Sequence, residues 1–498
     1  MTVVEVATGR LAGTTLRVPV GTDGAVPDGA PLECFLGVPY AAAPVGDRRF
    51  RAPAPAPGWT GVRAADRFGA PAPQAEGLVS RLPSFSVAPG DEDCLSLNVW
   101  TPAVTGRRPV LVWIHGGAFV GGGSSMAVFD GARLAAEQDV VVVTVNYRLG
   151  ALGYLWAAAG EDAVANCGLR DQTAALAWVR DHAATFGGDP DRITVVGESA
   201  GGGSVLHLVA GPVAPVVRRA VVQSGEPRVL DAEKAVQVRA ALCDELGIAD
   251  GPGAFAALRA VPAATIVAAQ GPVFVRLGIA TGLMPFHPVV DDDRATAVVD
   301  GDPRTGVAAG RGADVGLVIG TTRDELRLFS DPRAADIADA DLEGMLAKLA
   351  GPGADGAAIL AAYRALDPSR SGAQVWEAAR TDAVLRVPAL RVADAHTAAG
   401  GATFVYRFDW EAPGIGAAHA VDVPFVFGTF DRDGWGTAVG ADDRAEALGR
   451  RLRTAWADFA RTGDPGWARH DPVERPTMCF GAESIVVDDP DGATRACW

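Results

Sequence analysis

The sequence predicts an α/β protein, a large and mostly parallel sheet with helices on both faces. Three observations carry that expectation. Apolar, β-branched runs of strand length recur along the chain, at residues 110–114, 140–145, 192–196, 220–223, 315–320 and 404–408. A strand buried on both faces shows this continuous pattern rather than alternation. Between the runs lie stretches with apolar residues at helical spacing, such as 169–184. Strand alternating with helix is how a parallel sheet is written in sequence. The third observation is a serine framed by glycines, Gly197-Glu198-Ser199-Ala200-Gly201, placed where a strand pattern stops and a helix pattern starts. Glycines at a helix start cost about 1 kcal/mol each against alanine, so something other than local propensity selects them.

Taken in order, residues 1–60 read as short strands and turns, with 36–41 and 46–50 rich in turn formers. Residues 70–90 hold prolines and glycines without periodicity and read as a loop able to line a pocket mouth. The alternating stretch 95–100 reads as a strand, followed by the continuous strands at 110–114 and 140–145. After the helix at 169–184 come the strand 192–196, the serine turn and its helix. The alanine-rich stretches around 230–280 and 330–395 read as helical insertions above the sheet, within a single domain spanning 1–498. Residues 441–461 read as an amphipathic helix closed by Gly463-Asp464-Pro465.

The totals narrow the function. A net charge of −16 offers no basic face to neutralise phosphates, so a nucleic-acid partner is not expected. With 49% hydrophobic residues the chain can bury a large core. No stretch has the length and apolarity of a membrane span, and the start lacks the pattern of a secretory signal. The six cysteines are dispersed, with no Cys-x-x-Cys or zinc spacing. Reduced thiols in a cytoplasmic compartment, as a monomer or small homo-oligomer, are the expectation.

A serine hydroxyl is a weak nucleophile near neutral pH and needs a base, which in turn needs an orienting acid. Gly-x-Ser-x-Gly between strand and helix is the pattern of a nucleophile elbow, and Ser199 is its candidate nucleophile. Seven histidines are available as the base: His115, His182, His207, His287, His396, His419 and His470. His419 lies in a loop after a buried strand, where such a base is kept. The acid should fall between serine and histidine; Glu325, just past a strand end, and its neighbour Asp324 both qualify. Backbone N–H groups for a tetrahedral oxyanion should come from Ala200 and from the run His115-Gly116-Gly117-Ala118-Phe119. No Gly-Lys-Ser/Thr follows that glycine run, and no His-Glu-x-x-His exists, so neither phosphate-loop nor metal chemistry is indicated.

With these pieces in place the sequence resembles the type-B carboxylesterases, the cholinesterase-like branch of the α/β hydrolases. The resemblance rests on residues 36–41, 92–100, 115–119, 146–150, 166–172, the elbow, 223–225, 285–291 and the segments holding Glu325 and His419. It implies Ser199 as nucleophile, Glu325 rather than Asp324 as acid, His419 as base, and Gly117, Ala118 and Ala200 as oxyanion donors. It further implies ion pairs Arg49–Glu92 and Arg148–Asp171, and places Ser224 behind the catalytic residues. Phe119, Glu226, Met284, Phe286 and the loop 75–89 are candidate pocket walls. The implied activity is hydrolysis of carboxylic esters of small to medium neutral alcohols, with no metal or organic cofactor. The same residues could act on amides, lactones, thioesters or lipid esters, and a remote alternative is a non-catalytic interaction module. Two departures stand out. Ala118 occupies a place where many members have glycine, and Ala72, before Pro73-Gln74, stands where secreted members have the cysteine that bonds the one at position 94. The loop 75–89 also lacks a tryptophan for binding a quaternary ammonium group.

Overall fold

The computed structural model describes residues 1–18, 29–75, 87, 89–212, 216–278, 284–330 and 336–498. Among these, eleven strands form one sheet. Strands β1 (Val3–Val6), β2 (Gly9–Ala12) and β5 (Val62–Ala64) form a separate small sheet. The large sheet uses β3 (Thr14–Arg17), β4 (Pro31–Pro39), β6 (Ser96–Thr101), β7 (Arg108–Ile114), β8 (Val141–Val145), β9 (Gly188–Glu198), β10 (Arg219–Gln223), β11 (Gly316–Thr322), β12 (Thr403–Phe408), β13 (Pro476–Phe480) and β14 (Ile485–Asp488). Its order is β14-β13-β12-β11-β10-β9-β7-β8-β6-β4-β3. Pairing is parallel from β8 through β7, β9, β10, β11 and β12 to β13, and antiparallel at both flanks.

The continuous apolar strands are explained by burial on both faces. Along β7, Val110, Val112 and Ile114 enter one core with Leu176, Val179, Val205 and Val209 from the helices Cys167–His182 and Ala200–Ala210. Leu111 and Trp113 enter the opposite core with Leu448, Leu452, Trp456 and Phe459 of the helix Asp443–Thr462. Each fully buried apolar side chain of this size contributes about 1.5–3 kcal/mol. The late helix is capped as its sequence indicates: Asp442 accepts from the N–H groups of Arg444 and Ala445, and Gly463 ends it in a left-handed conformation.

The turn formers at 36–41 do not make a turn. Residues up to Pro39 belong to β4, whose pairing with β6 shifts between Phe35 and Val38, with Gly37 at φ 63 in the irregularity. An extra residue inside a strand uses the same glycine that a turn would, so the two patterns look alike in sequence. The described parts of 230–280 and 330–395 are mostly helical, while 279–280 and 331–335 lie outside the described residues. No single helix among the described residues is long and apolar enough to cross a membrane; the apolar helices Ala254–Ala260 and Ala263–Gly278 meet at a bend of 117°.

Two ion pairs, one fully buried and one partly buried, tie segments beside the sheet together. Arg148 meets Asp171 at 2.6 Å and also donates to the carbonyl of Arg51. Arg49 meets Glu92 at 2.6 Å and donates to the carbonyls of Leu258, Arg259 and Val261. All six cysteines are free, Cys94 among the buried ones.

Candidate active site

Ser199, Ala200, Glu325, His419 and the run 115–119 all lie just past the C-terminal ends of strands of the large sheet, β9, β11, β12 and β7. Ser199 follows β9 directly and precedes the helix Ala200–Ala210, with φ 58 and ψ −123. A left-handed, non-glycine residue is strained by about 1–3 kcal/mol and persists only when its surroundings hold it. Here Ser199 N–H donates to the Gln223 carbonyl at 2.9 Å, and Gly203 N–H donates to the Ser199 carbonyl at 2.9 Å. The flanking glycines are steric necessities: a Cβ on Gly197 would stand 2.4 Å from Gly201 C, and one on Gly201 would stand 2.0 Å from the Ile114 carbonyl oxygen.

Glu325 begins the 3₁₀ turn Glu325–Phe329 just past β11 and is fully buried. One carboxylate oxygen lies 2.6 Å from His419 Nδ1. The other accepts from Thr322 N–H at 2.7 Å and from the Ser224 hydroxyl at 2.6 Å. Asp324 turns away, paired with Arg323 at 2.8 Å and accepting from Ala417 N–H. Of the two neighbouring acids, only Glu325 reaches the imidazole. The other face of the ring was not foreseen from sequence: His419 Nε2 lies 3.1 Å from Glu198 Oε1, in the residue before Ser199. No hydrogen bond joins Ser199 Oγ to His419 in this conformation, and such contacts often tighten only when substrate is bound. The exposed ring of Phe329 stands 5.5 Å from the imidazole, centroid to centroid.

The glycine run after β7 folds back over Ser199. A Cβ on Gly116 would meet Ser199 Cβ and Glu198 at 2.9 Å, so only glycine lets the loop approach. Gly117, Ala118 and Phe119 follow at φ 113, 54 and 62. Successive residues of this kind turn their N–H groups toward one concavity. The N–H groups of Gly117, Ala118 and Ala200 make no hydrogen bond among the described residues. His115 supports the loop: its ring stacks on Tyr147, whose hydroxyl donates to the His115 carbonyl at 2.7 Å. Burial lowers His115 to about 4, keeping it neutral.

Electrostatically the site is one imidazole among three buried carboxyl groups. Burial raises Glu198 to about 8 and Asp422 to about 6. For His419 burial works against the charged form, but Glu198 and Glu325 outweigh it and raise the ring to about 9. Glu198 and His419 therefore compete for one proton on the Nε2 side and titrate as a pair. Asp422 accepts from the Gln223 amide at 2.7 Å, and Trp456 holds the other end of that amide at 3.0 Å. Glu198 had a sequence signal, an acid inside the elbow; Asp422 had only its place three residues after His419.

The candidate walls separate. Phe119 is half-buried, edge-on to Tyr154 at 5.0 Å. Glu226 pairs with Arg228, and burial raises it to about 7. Met284 is half-buried, whereas Phe286 is buried in the core on the elbow-helix side of the sheet. Of the loop 75–89, residues 76–86 and 88 lie outside the described residues. Among the described residues no cluster of His, Cys, Asp or Glu could hold a metal ion.

A parallel sheet whose central strand runs through a strained serine into a helix, opposite a histidine held by a carboxylate, defines an α/β hydrolase. The chain belongs to the Carboxylesterase family, which matches residues 1–477, and it is a carboxylic ester hydrolase. It is 36% identical to the para-nitrobenzyl esterase of Bacillus subtilis over 93% of this chain and 94% of that one. It is also 36% identical to the phenmedipham hydrolase of Pseudarthrobacter oxydans, over 95% and 94% of the two chains. A solved carboxylesterase of Geobacillus stearothermophilus superimposes with a TM-score of 0.84 at 36% identity, covering 100% of both chains.

Proposed function

We propose that Ser199 is the nucleophile, His419 the general base and then acid, and Glu325 the group that orients the imidazole. The observation that carries this is the 2.6 Å contact of Glu325 with His419 Nδ1, on a ring whose other nitrogen faces the segment that bears Ser199. Ser199 Oγ attacks the ester carbonyl as its proton passes to His419 Nε2. The tetrahedral oxyanion is held by the N–H groups of Gly117, Ala118 and Ala200, each of the kind whose loss costs about 2.7–4 kcal/mol elsewhere. Collapse expels the alcohol, which takes the proton from Nε2. Water then attacks the acyl-enzyme by the same route and frees the acid and Ser199. Glu325 keeps the Nδ1 proton in place and stabilises the imidazolium without taking the proton. These groups supply every proton transfer and charge contact that the two half-reactions need.

The proposed substrates are esters of small to medium neutral alcohols; a relative that acts on para-nitrobenzyl esters supports this range. Free thiols at all six cysteines suit a reducing compartment, and we place the enzyme in the cytoplasm. The test is stoichiometric labelling by an organophosphate. One phosphoryl group on Ser199, and loss of esterase activity in Ser199→Ala, is the expected result. A folded protein that stays unlabelled would instead fit a non-catalytic interaction module. Initial rates on a graded acyl series with one amide then fix the bond class.

A further inference from the structure

Glu325 is held by more than its own loop. Inside the long helical stretch after residue 372, the helix Gly372–Thr381 passes through a π-helical turn, Asp382–Arg386, into the helix Val387–Ala398. In a regular α-helix residues five apart point about 140° away from each other. A turn closing at i→i+5 is wider and brings such residues toward one face, and turns of this kind recur at functional sites. Thr381 and Arg386 are five apart, both are buried, and both reach the segment that carries Glu325. The Thr381 hydroxyl accepts from Leu326 N–H at 3.1 Å. Arg386 Nη2 donates to the carbonyls of Thr322, at 3.3 Å, and Arg323. The peptide after Glu325 and the two carbonyls before Asp324 are thus held from one foreign turn, while Thr322 N–H holds the carboxylate itself at 2.7 Å.

Arg386 is itself anchored. Its Nη1 donates to Asp382 at 2.6 Å, Asp382 accepts from the Tyr363 hydroxyl, and Trp498 Nε1 donates to that hydroxyl at 2.9 Å. The line runs from the last residue of the sequence to the acid that faces His419.

We infer that Thr381 and Arg386 are positioning residues for Glu325, the π-helical turn serving as a clamp that sets where the carboxylate meets His419. This rests on the proposed role of Glu325. The clamp acts in two separable ways. The hydrogen bonds from Thr381 and Arg386 fix the backbone on both sides of Glu325. The guanidinium, itself paired with Asp382 at 2.6 Å and Asp491 at 3.4 Å and facing the like charge of Arg407, adds a buried positive charge that interacts with the Glu325 carboxylate and so opposes that carboxylate's hold on an imidazolium.

The test uses the full-length enzyme with an ester substrate, in Thr381→Val, Thr381→Ser, Arg386→Met and Arg386→Lys, each checked for folding by near-UV circular dichroism and Tm. Displacing a catalytic group by an ångström can cost up to about a hundredfold in rate. Thr381→Val is expected to lower kcat about tenfold or more with KM changed less than about twofold, and Thr381→Ser to restore it. Arg386→Met should lower kcat likewise and move the acid limb of kcat/KM to higher pH, because removing a positive charge favours the imidazolium. Arg386→Lys keeps the charge but not the fork, so kcat should fall while the limb stays. Folded Thr381→Val with wild-type kcat overturns the clamp, and so does folded Arg386→Met with both kcat and limb unchanged. If Arg386→Met does not fold, the Thr381 pair decides. Organophosphate labelling of wild-type Ser199 separates the two failures. A labelled, active wild type with indifferent variants sinks the clamp alone, while an unlabelled wild type sinks the triad reading beneath it.

Discussion

Glu198 is the residue whose position in space adds most to what its position in sequence says. It sits inside the elbow, yet its side chain turns back to His419 Nε2, the nitrogen that receives the serine proton in the proposed mechanism. While Glu198 is ionised, its charge favours the imidazolium, and an imidazolium cannot act as base. Replacing Glu198 by Gln removes a carboxylate that raises His419. The acid limb of kcat/KM should then move to lower pH, by about one pH unit or more, because the ring loses its proton more readily. A pH–rate profile of Glu198→Gln beside wild type measures this, and a limb that stays in place or rises would contradict the electrostatic assignment. Ala118 sets a second expectation at this scale. It keeps the N–H of a glycine but adds a methyl group at φ 54 beside the site. Wild type should therefore turn over a tert-butyl ester far more slowly than the n-butyl ester, and Ala118→Gly should narrow the gap. Equal wild-type rates on the two esters would show that the methyl group does not face the bound alcohol. Phe329, exposed against the His419 ring, had no sequence signal beyond lying four residues past Glu325. An aromatic next to a candidate acid reads the same whether it packs inward or lines a cavity.

At the scale of elements, the elbow was the most legible feature, and its physics explains why. Four consecutive restraints act there: a strand that must end, a serine at positive φ, a helix that must start, and neighbouring backbone within van der Waals range. Only small residues satisfy all of them, so the pattern survives in one dimension. The glycines are not equivalent, however. A Cβ on Gly201 would meet the Ile114 carbonyl oxygen at 2.0 Å, whereas one on Gly203 would meet the Glu226 carbonyl at 2.9 Å and the Phe119 ring at 3.6 Å. Both lie in the helix Ala200–Ala210, where alanine is intrinsically favoured by about 1 kcal/mol. Gly201→Ala should cost more than about 3 kcal/mol in chemical denaturation or fail to accumulate, since rigid backbone must move. Gly203→Ala should lie within about 1–2 kcal/mol of wild type, because the propensity gain offsets a milder contact. The reverse order would mean that the elbow tolerates crowding. The buried strands were legible for a similar reason: coverage on both faces leaves an unbroken apolar run. The bulged β4 and the π-helical turn at Asp382–Arg386 were not, because a bulge borrows the glycine of a turn and a π turn keeps the composition of an α-helix.

Across the whole molecule the catalytic geometry depends on how distant segments are tied, and charged pairs buried between layers do much of that tying. Arg148 follows β8, Asp171 lies in the first turns of the helix Cys167–His182, and Arg51 belongs to the N-terminal part; one guanidinium joins all three. The family pattern implied that pair, but no spacing in the sequence placed it between layers, since its partners are 23 and 97 residues away. Desolvating both ions largely cancels their attraction, so the pair's worth lies less in net stability than in the cost of breaking it. Arg148→Met leaves Asp171 as an uncompensated buried carboxylate and should destabilise by about 3–5 kcal/mol. The double variant Arg148→Met, Asp171→Leu removes both charges and should recover a large part of that loss. Equilibrium denaturation of the two variants measures the difference between them. If the double variant is no more stable than the single one, the damage comes from lost packing and from the freed Arg51 carbonyl rather than from the stranded charge. The pair would then be a spacer between layers, and the placement of the loops over the sheet would depend on shape more than on electrostatics.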